Sequence, residues 1–96
     1  MIQLTPEQQA VCRKAVAYFG KRAQVLKVVE ELRELAEELE AVVHDKHCMV
    51  KIIDERADVA VTLWQLDNVL IPAMEPHVQE RIAFKVKRLE GRMNNA

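Results

Sequence analysis

The sequence has few aromatic residues, few helix breakers and almost no net charge. Its 96 residues include four aromatics, two glycines and three prolines, while half are apolar, mostly Ala, Val, Leu and Ile. With abundant Glu and Lys, this composition favours helices. The formal net charge of −1 argues against broad electrostatic binding to nucleic acid, which needs an excess of basic residues, but does not exclude a nucleotide.

Paired cysteine motifs and long apolar runs are also missing. Cys12 and Cys48 form no CxxC pair, no signal-peptide pattern precedes Thr5, and no run approaches the length of a membrane span. The interpretation is a cytoplasmic protein with two reduced thiols and no membrane partner. We expect one small domain over residues 1–96, whose limited core would benefit from association with other copies.

Apolar spacing and capping residues predict four helices and hence an all-α, four-helix bundle-like protomer. The first helix should follow an N-cap at Thr5 and run from Pro6 to about Phe19, where Gly20 ends it. It is expected to bury Val11, Ala15, Tyr18 and Phe19 or near neighbours. The other helices are predicted at about residues 21–43, 48–70 and 76–92, with residues 44–47 as the loop between the second and the third.

Two pairs of acids give the sequence its clearest functional signal. Glu31 and Glu34 lie three residues apart on the second helix, as do Glu55 and Asp58 on the third, so each pair projects to one side. The third helix has two apolar faces separated by a narrow polar strip, and acids placed there are costly unless they are paired or bind a cation. The two pairs therefore predict a site for one or more Mg²⁺ ions between two helices.

The chemistry available to such a site is phosphate chemistry. A bound Mg²⁺ neutralises phosphate charge and lowers the pKa of a bound water, and Glu30, just outside the pair, could orient or deprotonate that water. Basic residues on the fourth helix would complete a clamp on a polyphosphate. A Glu-rich helix face is also common without any function, so the second pair, on the polar strip, carries most of the weight.

The same residues carry a family resemblance. The run GKRAQVLKVVEELREL, residues 20–35, contains an EExxE motif, and DERADV, residues 54–59, contains an ExxD motif. Together they resemble the MazG-like all-α NTP pyrophosphohydrolases. The ending FKVKRLEGR, residues 84–92, is similar to the last helix of small, phage-type members, so the resemblance covers about residues 18–92.

The resemblance implies a homodimer or homotetramer that hydrolyses a nucleoside triphosphate to the monophosphate and pyrophosphate, with Mg²⁺ as cofactor and Mn²⁺ as an alternative ion. A dUTPase-like or phosphoribosyl-ATP pyrophosphatase activity is a variant of this function. Carried over by position, the metal ligands are Glu31, Glu34, Glu55 and Asp58, and Glu30 supports the metal or the attacking water. The candidate substrate contacts are Gln24 and Lys27 for the nucleotide and Lys85 and Arg88, from the same or a neighbouring subunit, for phosphate.

Three other interpretations stay open at the level of sequence. His44, His47 and Cys48, with Asp45, could be zinc ligands, although a second cluster of ligands is lacking. The basic stretch 85–92 could contact nucleic acid, but the near-neutral, aromatic-poor composition argues against it. The chain could also be a non-catalytic helical assembly module. Arg33 and Arg56 lie within the two motifs, where they could pair with the acids.

Overall fold

The computed structural model describes residues 2–95 and contains four α-helices and no strand among them. The helices are α1 (Pro6–Phe19), α2 (Lys21–Val43), α3 (Met49–Gln65) and α4 (Glu75–Asn94). A π-helical turn, Leu66–Leu70, extends α3, and a 3₁₀ turn, Pro72–Met74, precedes α4. The predicted all-α class is confirmed for these residues; Met1 and Ala96, the ends of the predicted domain, lie outside them.

Local sequence signals account for most of the helix boundaries. α1 and α2 begin and end where the sequence predicts, on either side of Gly20, whose φ of 90° suits a residue without a side chain. The helical stretch that begins with α3 stops before Ile71-Pro72, as predicted, because proline cannot continue it. α4 includes Pro76 in its first turn and runs to Asn94, slightly beyond the predicted end.

The loop after α2 is closed by backbone hydrogen bonds. The amide of Lys46 donates to the carbonyl of Ala41 at 2.8 Å, and the amide of Asp45 donates to that of Val42 at 3.1 Å. This is the Schellman pattern, which needs a left-handed residue after the helix. Asp45 supplies it with φ of 56°, a conformation that Asp tolerates better than most residues. The tight loop turns the chain back so that α3 runs antiparallel to α2.

The α2–α3 pair is the most extensive packing contact in the protomer, and α1 lies across one end of it. The apolar core at that end consists of Val16 from α1, Val28 from α2 and Leu70 from the π-helical turn. Partly buried side chains pack around it from the end of α3 and the turn, namely Leu63, Leu66 and Val69. This core therefore stabilises one end of the α2–α3 pair, and the rest of the interface between the two helices depends on other contacts.

The expected burial on α1 is wrong for Val11, Tyr18 and Phe19, whereas Ala15 is partly buried. Val11, Tyr18 and Phe19 are exposed, Tyr18 by 81%, and the buried residues are Cys12 and Val16. Cys12 and Val16 are four residues apart and so share the face that meets the α2–α3 pair. The helix has apolar residues on more than one face, and periodicity alone does not say which face meets the core.

α4 stands apart from the other helices. It buries none of its residues, and its main contact is with the 3₁₀ turn that precedes it. The radius of gyration is 16.1 Å, whereas a compact domain of this length would have about 12–13 Å. The protomer is thus an open shape of 49 × 36 × 24 Å, with an amphipathic helix that has no packing partner among the described residues.

The long helices are strongly charged. α2 has 23 residues and α4 has 20, but α2 contains glutamates along its second half and α4 carries several basic residues. No helix within residues 2–95 combines the length and the apolar character needed to cross a membrane.

A first prediction concerns the start of α1. The Thr5 hydroxyl accepts a hydrogen bond from the amide of Gln8 at 3.2 Å, and the Gln8 side chain accepts one from the Thr5 amide at 2.8 Å. Thr5→Ala removes this capping box and should lower the free energy of unfolding by about 1 kcal/mol. Urea denaturation followed by circular dichroism measures it, with Thr5→Ser as the control that keeps the cap; equal loss in both variants would contradict the assignment.

Candidate metal centre

Four acidic side chains from two helices converge at one place. Glu31 and Glu34 of α2 and Glu55 and Asp58 of α3 each offer one carboxylate oxygen, and these oxygens all lie within 4.8 Å of one another. We refer to these four residues as the acid cluster. Within residues 2–95 no other set of His, Cys, Asp or Glu side chains forms a comparable group.

The antiparallel register of α2 and α3 produces this convergence. A step of three residues forward along α2, from Glu31 to Glu34, is matched by the same step backward along α3, from Asp58 to Glu55. Each pair lies on one side of its helix because residues three apart are neighbours on a helix surface. The same register, continued seven residues toward α1, joins Gln24 to Gln65 through a side-chain hydrogen bond of 3.2 Å.

Burial differs across the acid cluster. Glu31 is only 4% exposed, Glu34 and Glu55 are half-buried, and Asp58 is exposed. One oxygen of Glu31 and one of Glu55, Oε2 in each, are buried without a hydrogen-bond partner among the described residues. An unpaired buried polar atom costs about 1–3 kcal/mol in typical cases, so these two oxygens are available to bind a cation.

The cation of the chain that contacts the acid cluster is Lys27. Its ammonium Nζ lies 3.1 Å from Glu31 Oε1 and 3.6 Å from Glu30 Oε2. Arg33 and Arg56, which the sequence offered as partners for the acids, make no salt bridge with them within residues 2–95. Within residues 2–95, Lys27 therefore supplies one ammonium group beside the four carboxylates of the acid cluster.

The pKa values of two acids in the cluster, Glu31 and Glu34, are raised by their surroundings. Burial raises the pKa of the Glu31 carboxyl, Lys27 opposes the shift, and the charges of Asp58 and Glu34 add to it. The pKa of Glu34 is raised first because its protonated form can donate a hydrogen bond to Glu55, and further by desolvation and the charge of Glu55. The hydrogen bond to Glu31 raises the pKa of Lys27. The metal-free cluster thus favours uptake of positive charge.

The geometry fits a small hard cation. Oxygen ligands around an octahedral Mg²⁺ lie about 2.1 Å from the ion and therefore roughly 3–4 Å from one another. The separations in the acid cluster reach 4.8 Å, so small side-chain movements would bring the oxygens to this spacing. Carboxylate oxygens are the donors preferred by Mg²⁺, Mn²⁺ and Ca²⁺, and the exposed Asp58 side leaves room for water or phosphate oxygens.

Gln24, a predicted nucleotide contact, is buried in the protomer. It donates to Gln65 Oε1, and Gln65 in turn donates to the carbonyl oxygen of Cys12 at 3.0 Å. Gln65 is 2% exposed, and the chain of hydrogen bonds ties all of α1, α2 and α3 together. Gln65 is not among the predicted site residues; the signal that could have identified it is a polar side chain on a mostly apolar helix.

The remaining predicted site residues lie outside the acid cluster. Glu30 is exposed and contacts the cluster only through Lys27, which it shares with Glu31. Lys85 and Arg88 are exposed on α4, and no salt bridge within residues 2–95 joins them to the acids. In a single protomer the fourth helix does not complete a phosphate clamp.

The alternative zinc site does not form in the described chain. His44, His47 and Cys48 are exposed and do not bring ligand atoms together. Both cysteines are free thiols, with Cys12 buried and Cys48 exposed. The acid cluster is therefore the candidate site that the fold of residues 2–95 assembles.

Comparisons with protein-family models, with curated proteins and with solved structures find no match for this chain. What the geometry supplies is a carboxylate cluster with two unpartnered buried oxygens at an antiparallel helix interface.

The raised pKa values of Glu31 and Glu34 predict an unusual pH dependence. Between neutral pH and the ordinary carboxyl pKa near 4.5, these two groups bind more protons in the native than in the unfolded state, so their contribution to the stability of the metal-free protein should rise as pH falls. Saturating Mg²⁺ should reverse the sign, because the ion binds the deprotonated acids.

Melting temperatures measured from pH 7.5 to about 5 in EDTA and in Mg²⁺ test this expectation. The double variant Glu31→Gln, Glu34→Gln isolates the contribution of these two groups, and its pH dependence in EDTA should be flatter than that of the wild type. Identical profiles for the two proteins would show that the acid cluster does not bind protons more tightly in the native state.

Proposed function

We propose that the protein is a Mg²⁺-dependent nucleoside triphosphate pyrophosphohydrolase of the MazG-like type. The observation that supports this most is the convergence of four carboxylates from α2 and α3, with an unpartnered buried oxygen on each helix. The EExxE and ExxD motifs contribute these four residues. The reaction proposed is hydrolysis of the bond between the α- and β-phosphates, giving the monophosphate and pyrophosphate, with Mn²⁺ able to replace Mg²⁺.

In the proposed mechanism the protein mainly positions charges, which is what phosphate hydrolysis requires. Glu31, Glu34, Glu55 and Asp58 would hold the metal, which supplies charge neutralisation for the phosphates and a more acidic bound water. The exposed side of the cluster, at Asp58, is where a polyphosphate would approach. Glu30, which is exposed and directly precedes Glu31 on α2, would accept a proton from the attacking water.

Assembly into a homo-oligomer is part of the proposal, and the exposed surface supports it. The protomer exposes 7712 Å², about 2,000 Å² more than a compact monomer of 11.0 kDa would expose. A standard interface buries about 800 Å² per partner, so the excess is large enough for a stable dimer. Exposed apolar side chains occur on every helix.

The fourth helix is the element best suited to make this contact. Val78, Ile82, Val86 and Leu89 form one exposed stripe on α4. By helical geometry, Lys85 falls along one edge of the stripe and Arg88 further out on the same flank. α4 docked on a second copy would carry these basic side chains to that copy, and acids such as those of α2 offer the complementary charge.

The principal experiment measures pyrophosphate release from ribo- and deoxyribonucleoside triphosphates in Mg²⁺ and in EDTA. We expect release that requires the cation and leaves the monophosphate. No turnover of any substrate, together with no nucleotide-induced shift in melting temperature, would favour the alternative of a non-catalytic assembly module. That alternative explains the exposed apolar surface but not the two buried carboxylate oxygens that lack a hydrogen-bond partner among the described residues.

Substitutions in the acid cluster test which residues carry the activity. Glu34→Gln and Asp58→Asn should each lower kcat at least a hundredfold with the fold retained, because each removes a charged ligand from the metal. The matched controls are Glu37→Gln on α2 and Asp54→Asn on α3, exposed acids outside the cluster. Wild-type turnover in a cluster variant, or equal loss in its control, would contradict the site.

Assembly through α4 is tested separately. Ile82→Asp places a charge in the middle of the exposed stripe and should shift the mass measured by light scattering after gel filtration from an oligomer to the monomer. Lys87→Gln changes the charge by the same amount on the opposite face of α4 and should leave the mass unchanged. A monomeric wild-type protein at micromolar concentration would contradict the proposed assembly.

A further inference from the structure

We infer that Lys27 is a counter-ion built into the acid cluster. In the metal-free protein its ammonium group partly neutralises the carboxylates, and it is displaced from Glu31 when a divalent cation binds. The inference rests on the proposed metal site. It gives Lys27 an effect on metal affinity that needs no nucleotide, and so differs from a contact with substrate.

The ion pair orients the most buried acid. Lys27 Nζ lies 3.1 Å from Oε1 of Glu31, and the other oxygen, Oε2, is buried without a partner among the described residues. With one oxygen fixed by the ammonium, the carboxylate presents the second oxygen as the atom free to bind a cation. In the metal-free protein Lys27 therefore holds one oxygen of Glu31 and leaves the other as the first point of contact for an ion.

The two members of the ion pair differ in their freedom to move. The side chain of Glu31 is 5% exposed, whereas that of Lys27 is 48% exposed and has a flexible four-carbon stem. Lys27 also has a second acceptor, Glu30 Oε2 at 3.6 Å, on a side chain that is 55% exposed. Lys27 can thus leave Glu31 for Glu30 and solvent while the buried carboxylate remains in place.

Charge balance gives the direction of the effect. Without metal, the four carboxylates repel one another, and the single positive charge of Lys27 reduces that repulsion. With a divalent cation in the cluster, the ammonium becomes a like charge that competes with the ion for the Glu31 carboxylate. Lys27 should consequently stabilise the metal-free protein and weaken metal binding, so that its removal has opposite effects on the two properties.

The test measures Mn²⁺ binding to the 96-residue chain without nucleotide, from the electron paramagnetic resonance signal of free Mn²⁺. Lys27→Met should bind Mn²⁺ roughly three- to tenfold more tightly, since an exposed like charge next to the ion has been removed. Lys27→Arg should bind as the wild type does. Lys21→Met, which removes the same charge from the exposed start of α2, should have little effect.

Thermal unfolding measures the second expected effect, the lower stability of the metal-free variant. In EDTA, Lys27→Met should melt at a lower temperature than the wild type, because Glu31 loses its partner, and saturating Mn²⁺ should remove the difference. Equal or weaker Mn²⁺ binding by a folded Lys27→Met protein would overturn the inference. Absence of saturable Mn²⁺ binding by the wild type would overturn the proposed metal site as well, so the two failures are distinguishable.

A measurement on the wild-type protein avoids any folding defect of the variant. The rate of amine acetylation at Lys27, followed by mass spectrometry, should increase when Mn²⁺ displaces the ammonium from Glu31, while the rate at Lys21 stays constant. An unchanged or lower rate at Lys27 in saturating Mn²⁺ would show that the ion pair persists, and would overturn the displacement.

Discussion

The contact between α2 and α3 in one antiparallel register is the constraint on which the rest of the structure depends. It places two pairs of acids face to face and, seven residues away, two glutamines in hydrogen-bond contact. A slip of one helical turn would separate both sets. The Gln24–Gln65 pair and its link to the Cys12 carbonyl therefore help to fix the register, because a buried amide without a partner would cost about 1–3 kcal/mol.

Two opposing forces act on this contact between α2 and α3. Apolar burial at Val16, Val28 and Leu70 holds the helices together at one end, while carboxylate repulsion at the acid cluster pushes them apart. A sequence selected only for stability would place apolar or oppositely charged residues opposite Glu31 and Glu34. Retaining four acids at a partly buried helix interface makes sense if a cation binds there, since the ion turns a repulsive contact into an attractive one.

The sequence predicted those features that depend on neighbouring residues along the chain. The limits of α1 and α2, the stop before Pro72 and the pairing of acids on each helix all follow from capping, proline and helical spacing. The meeting of the two acid pairs is a tertiary result, foreseen because α3 has a narrow polar strip. The prediction that Tyr18 and Phe19 are buried was wrong, and both are exposed. Amphipathic spacing does not identify which face of a helix meets the core.

The exposed apolar surface and the repulsion within the acid cluster both reflect the small core of this chain. A chain of this length has little core to offset the repulsion of four carboxylates, and α4 contributes no buried residue to it. Under the proposed assembly, burial of the α4 stripe against a second copy would supply apolar contacts that this chain lacks within residues 2–95. Assembly and cation binding would then stabilise the same chain through different residues, the apolar stripe of α4 in one case and the carboxylates of α2 and α3 in the other.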